Sequence, residues 1–227
     1  MERFKDEFIT WHHKTPIGVK VDEVFGMDSK TGKVWIEMAK QIFFEQGGDN
    51  YRVIDHFSNG APFIDGYPGR ISVSHTTNFF VVASLPKTPE VNLEEFSTRA
   101  AMGIDAERID RNQVIKIREK FLSEQELELI SKDDLTANII AWTAKEALYK
   151  AALTSGLDFR NSITIKHLPV IDQNPEKGEA PELGKAIIEL PSETGLTTYE
   201  MNLYCYESYG CCVTIAFSPK CARFGKH

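Results

Sequence analysis

The sequence has no long apolar run and no excess of positive charge. No apolar stretch approaches the ~20 residues that a membrane helix needs, so no membrane association is expected. The net charge is −7 at pH 7, from 26 Lys+Arg and 33 Asp+Glu, which argues against a nucleic-acid-binding surface. The charged start MERFKDEF lacks the apolar core of a secretory signal. We therefore expect a cytoplasmic protein.

Cysteine is also scarce, and no C-x-x-C pair occurs. The four cysteines are confined to the last 23 residues: Cys205, Cys211, Cys212 and Cys221. Two adjacent cysteines cannot easily supply two ligands to one tetrahedral zinc. Reduced thiols are therefore expected, rather than a zinc site or a disulfide framework.

The residues that are present are those of an ordinary globular chain, with 42% hydrophobic and 26% charged residues among 227. At ~100–200 residues per domain, one or two domains are expected. Asn59-Gly60 is typical of a turn. The segment 86–99 is polar and contains two prolines, which is typical of a connection between two halves of a chain. The elements predicted for the first half are a helix at 33–46, ended by Gly47-Gly48, and strands at 51–57, 70–75 and 78–85.

The second half has a strand pattern at 102–109, followed by two helical patterns at 112–131 and 136–155, the latter with Gly156 as its predicted stop. Strands are then predicted at 162–168, 184–190, 199–206 and 211–217, with a loop at 169–183 and a turn at Gly210. The predicted fold class is α+β, with two subdomains of similar size at 1–101 and 102–227.

Two carboxylates lie on one face of the strand at 102–109. Asp105 and Glu107 are two residues apart, and alternate side chains of a strand point the same way. Hard oxygen ligands of this kind suit magnesium. An exposed polar strand face would show the same pattern, so the fragment alone leaves both interpretations open.

The helix at 136–155 places Glu146 four residues before Lys150. That spacing suits a helical ion pair, and it also suits a metal ligand beside a phosphate contact. Ser74 and His75 end the strand at 70–75, with Arg70 upstream. A hydroxyl, an imidazole and a guanidinium at a strand end could hold a phosphate, or form only a polar turn.

Four segments together resemble the 4′-phosphopantetheinyl transferases. GIDAE (103–107) and WTAKEALYK (142–150) are similar to the two signatures of that family, G-[IV]-D-x-E and [FW]-[SCT]-x-K-E-[AS]-x-x-K. SVSHT (72–76) and KFLSEQE (120–126) are similar to two further elements, in the same order. The length resembles the larger pseudo-dimeric branch, the surfactin-synthetase-activating type.

The resemblance implies two α+β halves related by a pseudo-twofold axis, with coenzyme A in the cleft between them. It implies that magnesium is held by three carboxylates of the second subdomain: Asp105, Glu107 and Glu146. It implies coenzyme contacts from Ser74, His75, Arg70, Lys145 and Lys150. Glu126 would lie near the incoming serine, where it or a water would act as the base.

The activity implied is transfer of the phosphopantetheine arm of coenzyme A to a serine of an apo acyl, peptidyl or polyketide carrier protein, releasing 3′,5′-ADP. A pseudo-dimer can act as a monomer, which is the expected state. Lys116, Arg118 and Lys120 are candidates for a basic patch on which the carrier would dock, and a solvated helix face would show the same residues.

One departure from the family pattern concerns coenzyme binding. The family has a basic residue where this chain has Ala61, for which Arg70 or Lys14 could substitute. The alternative is therefore a non-catalytic protein that binds coenzyme A or a carrier. A magnesium-dependent phosphohydrolase would need a further acidic or histidine ligand near Asp105. Asp110 is the nearby candidate, but its position in the strand alternation would point its side chain to the opposite face from Asp105.

Overall fold

A computed structural model describes residues 8–26, 36, 54–57, 60–64, 69–86, 101–175 and 181–219. The predicted helix at 33–46, apart from Ile36, and the predicted connection at 86–99, apart from Pro86, lie outside these residues. Cys221 also lies outside them. Cys205, Cys211 and Cys212 are buried free thiols, as expected.

The described part of the chain contains a four-stranded sheet, a six-stranded sheet and a short hairpin. The four-stranded sheet has the order β1-β2-β6-β5, from β1 (Phe8–Lys14), β2 (Lys20–Gly26), β5 (Gly69–Thr76) and β6 (Phe79–Pro86). The hairpin joins β3 (Ile54–His56) to β4 (Pro62–Ile64).

The six-stranded sheet has the order β7-β12-β11-β10-β8, and β9 pairs with β11. Its strands are β7 (Met102–Arg108), β8 (Ile163–His167), β9 (Ile171–Asp172), β10 (Gly184–Ser192), β11 (Gly195–Ser208) and β12 (Cys211–Phe217). The β11–β12 turn contains Tyr209 (φ 47°) and Gly210 (φ 71°), and this pair of positive φ values suits a tight hairpin.

The two larger sheets share one hydrophobic core. Apolar side chains of β2 and β6, such as Val21, Phe79 and Val81, pack against Ile104 and Tyr206 of the six-stranded sheet. Burial of this shared core holds the two sheets together.

The edge strands of the two sheets meet, because β5 lies against β7. The hydroxyl of Ser72 accepts a hydrogen bond from the Ile104 amide at 3.0 Å, and that of Ser74 accepts one from the Ala106 amide at 3.2 Å. Side chains of β5 therefore satisfy main-chain amides of β7 that have no ladder partner in the described sheet.

Three described helices follow β7: α1 (Gln113–Phe121), α2 (Glu124–Leu129) and α3 (Leu135–Ala152). The long helix α3 begins at Asp134, whose carboxylate accepts from the Ala137 amide at 2.9 Å. Its buried alanines, among them Ala144 and Ala147, let it pack closely on the second face of the six-stranded sheet.

Most predicted elements of the described region are confirmed, and the class is α+β. The single helix predicted at 112–131 is wrong, because Ser123 interrupts it and starts α2 with a capping box to Glu126. The predicted stop at Gly156 is also wrong, because α3 ends at Ala152 and Leu153 adopts the left-handed conformation (φ 53°). Among the described helices, none is long and apolar enough to cross a bilayer.

Candidate functional site

A cavity of about 400 Å³ opens between the four-stranded sheet and the end of α3. Its walls include five of the residues singled out in the sequence, brought together from β5, β7 and α3: Arg70, Ser74, His75, Asp105 and Lys150. Ala61 and Gly60, beside the β3–β4 hairpin, also line it. Segments far apart in sequence therefore meet at one concave surface, as ligand sites usually require.

Asp105 is the best-anchored acidic residue of the cavity. It is 7% exposed, and its Oδ1 accepts hydrogen bonds from the Ser74 hydroxyl and the Lys150 ammonium, each at 2.7 Å. The same ammonium donates to the Ile104 carbonyl at 3.0 Å. A charge-assisted bond at this distance fixes the carboxylate and compensates its charge.

Glu107 lies next to Asp105 on the same face of β7 and is also buried. Its Oε1 accepts from the Thr76 hydroxyl at 3.3 Å and from the Arg108 amide at 2.9 Å. Its Oε2 forms an ion pair with the guanidinium of Arg111. Arg111 was not predicted as a site residue, because it follows the strand in a turn where no periodicity indicates the direction of its side chain.

Glu146 belongs to the same electrostatic cluster, from the helix side. Burial first, and then the charge of Asp105, raise the pKa of Glu146 above its ordinary value. The charges of Lys150 and Arg111 partly oppose this rise. Glu146 therefore shares its electrostatic environment with both a carboxylate of β7 and the two cations.

The chemistry of these three carboxylates fits a hard divalent cation, since all donors are oxygens. Among the described residues, however, no three His, Cys, Asp or Glu side chains converge closely enough to hold a metal ion. Lys150 and Arg111 instead hold Asp105 and Glu107. The donor set fits magnesium, but two of its members, Asp105 and Glu107, are paired with cationic side chains.

Arg70 contributes a positive charge to the cavity wall. Burial lowers its pKa to about 10, so it remains a cation at neutral pH. One of its terminal nitrogens donates weakly to the Lys150 carbonyl, at 3.4 Å. Its buried Nε has no hydrogen-bond partner among the described residues. This guanidinium retains donors for an anion, whereas the methyl side chain of Ala61 in the same wall carries no charge.

Lys145 and Glu126 form a buried ion pair and do not belong to the described cavity wall. The Lys145 ammonium donates to Glu126 Oε2 at 2.8 Å and to the carbonyls of Phe159 and Ile163 at 2.7 and 2.5 Å. Glu126 also accepts from the Ile165 amide at 2.7 Å. The pair therefore connects α2, α3 and β8.

The three residues of the predicted basic patch lie in different environments. Arg118 donates to the Asn138 side chain at 3.0 Å and to the Ile130 carbonyl, which ties α1 to the start of α3. Lys116 and Lys120 are exposed. Asp110, the further ligand considered for a phosphohydrolase, is exposed and pairs with Arg108.

Comparison with protein families finds a similarity in the second part of the chain. Residues 101–196 match the family model described as the 4′-phosphopantetheinyl transferase superfamily. The matched range includes β7 and α3, with the three carboxylates and Lys150. It begins at residue 101, so Ser74 and His75 lie outside it. No curated protein matches the chain. This part of the chain is therefore similar to the 4′-phosphopantetheinyl transferase superfamily.

Proposed function

We propose that the protein transfers the phosphopantetheine arm of coenzyme A to a serine of an apo acyl, peptidyl or polyketide carrier protein, releasing 3′,5′-ADP. The observation that carries the proposal is the hydrogen-bonded set of Ser74, Asp105 and Lys150 at one cavity. The family match over residues 101–196 supplies the reaction class.

In this proposal the cavity wall binds the phosphates of coenzyme A. Arg70 supplies a buried cation, and Ser74 and His75 supply short polar side chains at the end of β5. His75 is the proposed contact of the 3′-phosphate. Pairing of phosphate with buried cations is strong, because solvent screens it little.

Asp105, Glu107 and Glu146 are the proposed ligands of Mg²⁺, which when bound neutralises the diphosphate and charge developing in the transition state. Lys150 forms an ion pair with Asp105, and we propose that it also offsets charge on the departing 3′,5′-ADP. Phosphoryl transfer depends mainly on positioning and electrostatics, which these fixed side chains supply.

The attacking group is the carrier serine hydroxyl, whose oxygen bonds to phosphorus as the bond to the 3′,5′-ADP oxygen breaks. We propose that water accepts its proton. Glu126 is a poor candidate, because its carboxylate is 1% exposed and already accepts from Ser123, Lys145 and Ile165. Lys145, in the same pair, is proposed to position α3 rather than contact coenzyme A.

We also propose the pseudo-dimeric arrangement, with subdomains at 1–101 and 102–227 that work as a cytoplasmic monomer. All strands of the four-stranded sheet precede residue 101, and all strands of the six-stranded sheet follow it. The cavity draws on both groups of strands, which supports a site between two halves.

The test is an intact-mass assay with Mg²⁺, coenzyme A and a panel of apo carrier proteins. The expected result is the gain of one phosphopantetheine on a carrier serine. Asp105→Asn should lose transfer, whereas Asp110→Asn, in an exposed pair with Arg108, should retain it. Equal activity of both variants would contradict the role given to Asp105.

Ala61 in the cavity wall supports a second candidate, a non-catalytic protein that binds coenzyme A or a carrier. The wall lacks a cation at this position, so the phosphates have one fewer contact. Calorimetric binding of coenzyme A, without a mass gain on any carrier of the panel, would favour this second function.

A further inference from the structure

Arg111 lies in the turn between β7 and α1, beside the acidic cluster. Its side chain is 44% exposed, whereas that of its ion-pair partner Glu107 is 5% exposed. It also lowers the pKa of Glu146, which places its charge near the helix side of the cluster. Arg111 is thus a part-exposed cation that pairs with Glu107 and acts electrostatically on Glu146.

The hydrogen bonds of the Glu107 carboxylate indicate which of its partners could move away when a cation binds. Oε1 is held by the Arg108 amide and the Thr76 hydroxyl, both anchored at strand positions. Oε2 is held by Arg111, whose long side chain starts in a turn. A cation that binds Glu107 through Oε2 would lie beside the guanidinium at the same oxygen, where the two positive charges repel each other.

The charges of the cluster also indicate that Arg111 is the cation that can leave. Asp105, Glu107 and Glu146 supply three negative charges, and Lys150 and Arg111 supply two positive ones. Lys150 also bonds the Ile104 carbonyl, so it has a second anchor in β7. For Arg111, Glu107 is the side-chain partner seen among the described residues.

We propose that Arg111 competes with a divalent cation for Glu107, holding the carboxylate before the metal binds and moving into solvent when it does. The inference rests on the proposed function for the identity of the metal ligands. It adds a residue that sets the metal concentration at which the site assembles.

The test compares Arg111→Gln with Arg108→Gln in the full chain. Both variants remove one positive charge from positions three residues apart, but the Arg108 side chain pairs with exposed Asp110 instead of the cluster. Free Mn²⁺ is measured by electron paramagnetic resonance during titration, with and without coenzyme A. Arg111→Gln should bind Mn²⁺ about two- to fivefold more tightly than wild type, the range of a part-exposed ion pair. Arg108→Gln should change affinity by less than half as much.

Equal tightening in both variants would overturn the proposal, because it would show a general charge effect. Weaker binding in Arg111→Gln would also overturn it, because it would show that Arg111 positions Glu107 for the metal. Thermal unfolding in a chelator checks that both variants are folded. Arg111→Lys keeps the charge but loses the forked donor pair, so it should show an intermediate Mn²⁺ affinity.

The outcome is separable from that of the proposed function. If wild type binds no Mn²⁺ in either condition, the metal ligands and this inference both fail. If wild type binds Mn²⁺ and modifies a carrier, but Arg111→Gln binds with wild-type affinity, only the inference fails.

Discussion

Gly103 on β7 lies directly against the backbone of Ala147 on α3. A Cβ at position 103 would come within 2.1 Å of the Ala147 carbonyl oxygen and 2.7 Å of the Ala151 nitrogen. The absence of a side chain therefore lets the helix approach the strand that carries Asp105. This approach allows Lys150, one turn beyond Glu146 on the helix, to reach Asp105 at 2.7 Å.

Gly103→Ala should destabilise the protein by about 3 kcal/mol or more, because the added methyl meets main chain instead of a movable side chain. The measurement is urea unfolding at neutral pH. Gly156→Ala is the matched control, since Gly156 has φ +76° but open space around its Cβ position. That variant should lose only the ~1–2 kcal/mol of a left-handed alanine. Similar losses in both variants would show that α3 does not depend on the contact.

Glu146→Gln should abolish transfer and make the protein more stable at neutral pH. Burial and Asp105 raise the pKa of Glu146, so the folded state disfavours its charged form. A raised carboxyl pKa gives stability that is full below the unfolded pKa and is lost as pH rises through the folded pKa. The neutral amide avoids this loss, so the gain should appear at pH 7 and shrink towards pH 4.

The measurement for Glu146→Gln is urea unfolding at both pH values, beside the carrier assay. Glu128→Gln, at an exposed position of α2, is the control and should change neither quantity. Wild-type turnover by Glu146→Gln at ordinary magnesium concentration would remove Glu146 from the metal ligands. A loss of stability of Glu146→Gln at pH 7 would contradict the conclusion that burial and Asp105 disfavour the charged form of Glu146.

Lys145→Met should destabilise the fold by ~3–5 kcal/mol, because it leaves the Glu126 carboxylate buried without its counter-charge. Adding Glu126→Gln should restore part of that loss, which a double-mutant cycle measures. Glu126→Gln alone separates the two roles considered for this residue. A positioning role predicts reduced stability with transfer retained in the folded fraction, whereas full loss of transfer without loss of stability would make Glu126 the base.

His75→Ala should weaken coenzyme A binding about tenfold and dephospho-coenzyme A much less, since a hydrogen bond to a charged group contributes ~1.5–3 kcal/mol. Calorimetry with the two ligands gives the ratio directly. His167→Ala, on an exposed position of β8, is the control and should leave both affinities unchanged. Equal weakening of both ligands by His75→Ala would exclude a contact with the 3′-phosphate.

Local patterns predicted the strands that carry the site. The alternation around Asp105 and Glu107 placed both side chains on one face of β7, and the apolar residues between them pack in the core shared by the sheets. The helix at 136–155 was predicted from its composition and differs by only a few residues at its ends. These features depend on residues that are close in sequence, so the periodicity of the sequence predicts them.

Other features depend on partners far along the chain. Lys145 and Lys150 look equivalent in the sequence, yet one is buried against Glu126 and the other reaches Asp105. The helix face that meets the sheet decides between them, and only tertiary packing fixes that face. The hairpin of β1 and β2 was not predicted, because its strands mix aromatic and charged residues such as Trp11 and His12.

The serine contacts between β5 and β7 also bear on the solubility of the chain. A sheet edge with unpaired amides is a template for strand addition by another molecule, and so for aggregation. Ser72 and Ser74 occupy the amides of Ile104 and Ala106, while Lys150 occupies the Ile104 carbonyl. Side chains that build the cavity therefore also shield a vulnerable edge from other copies of the protein.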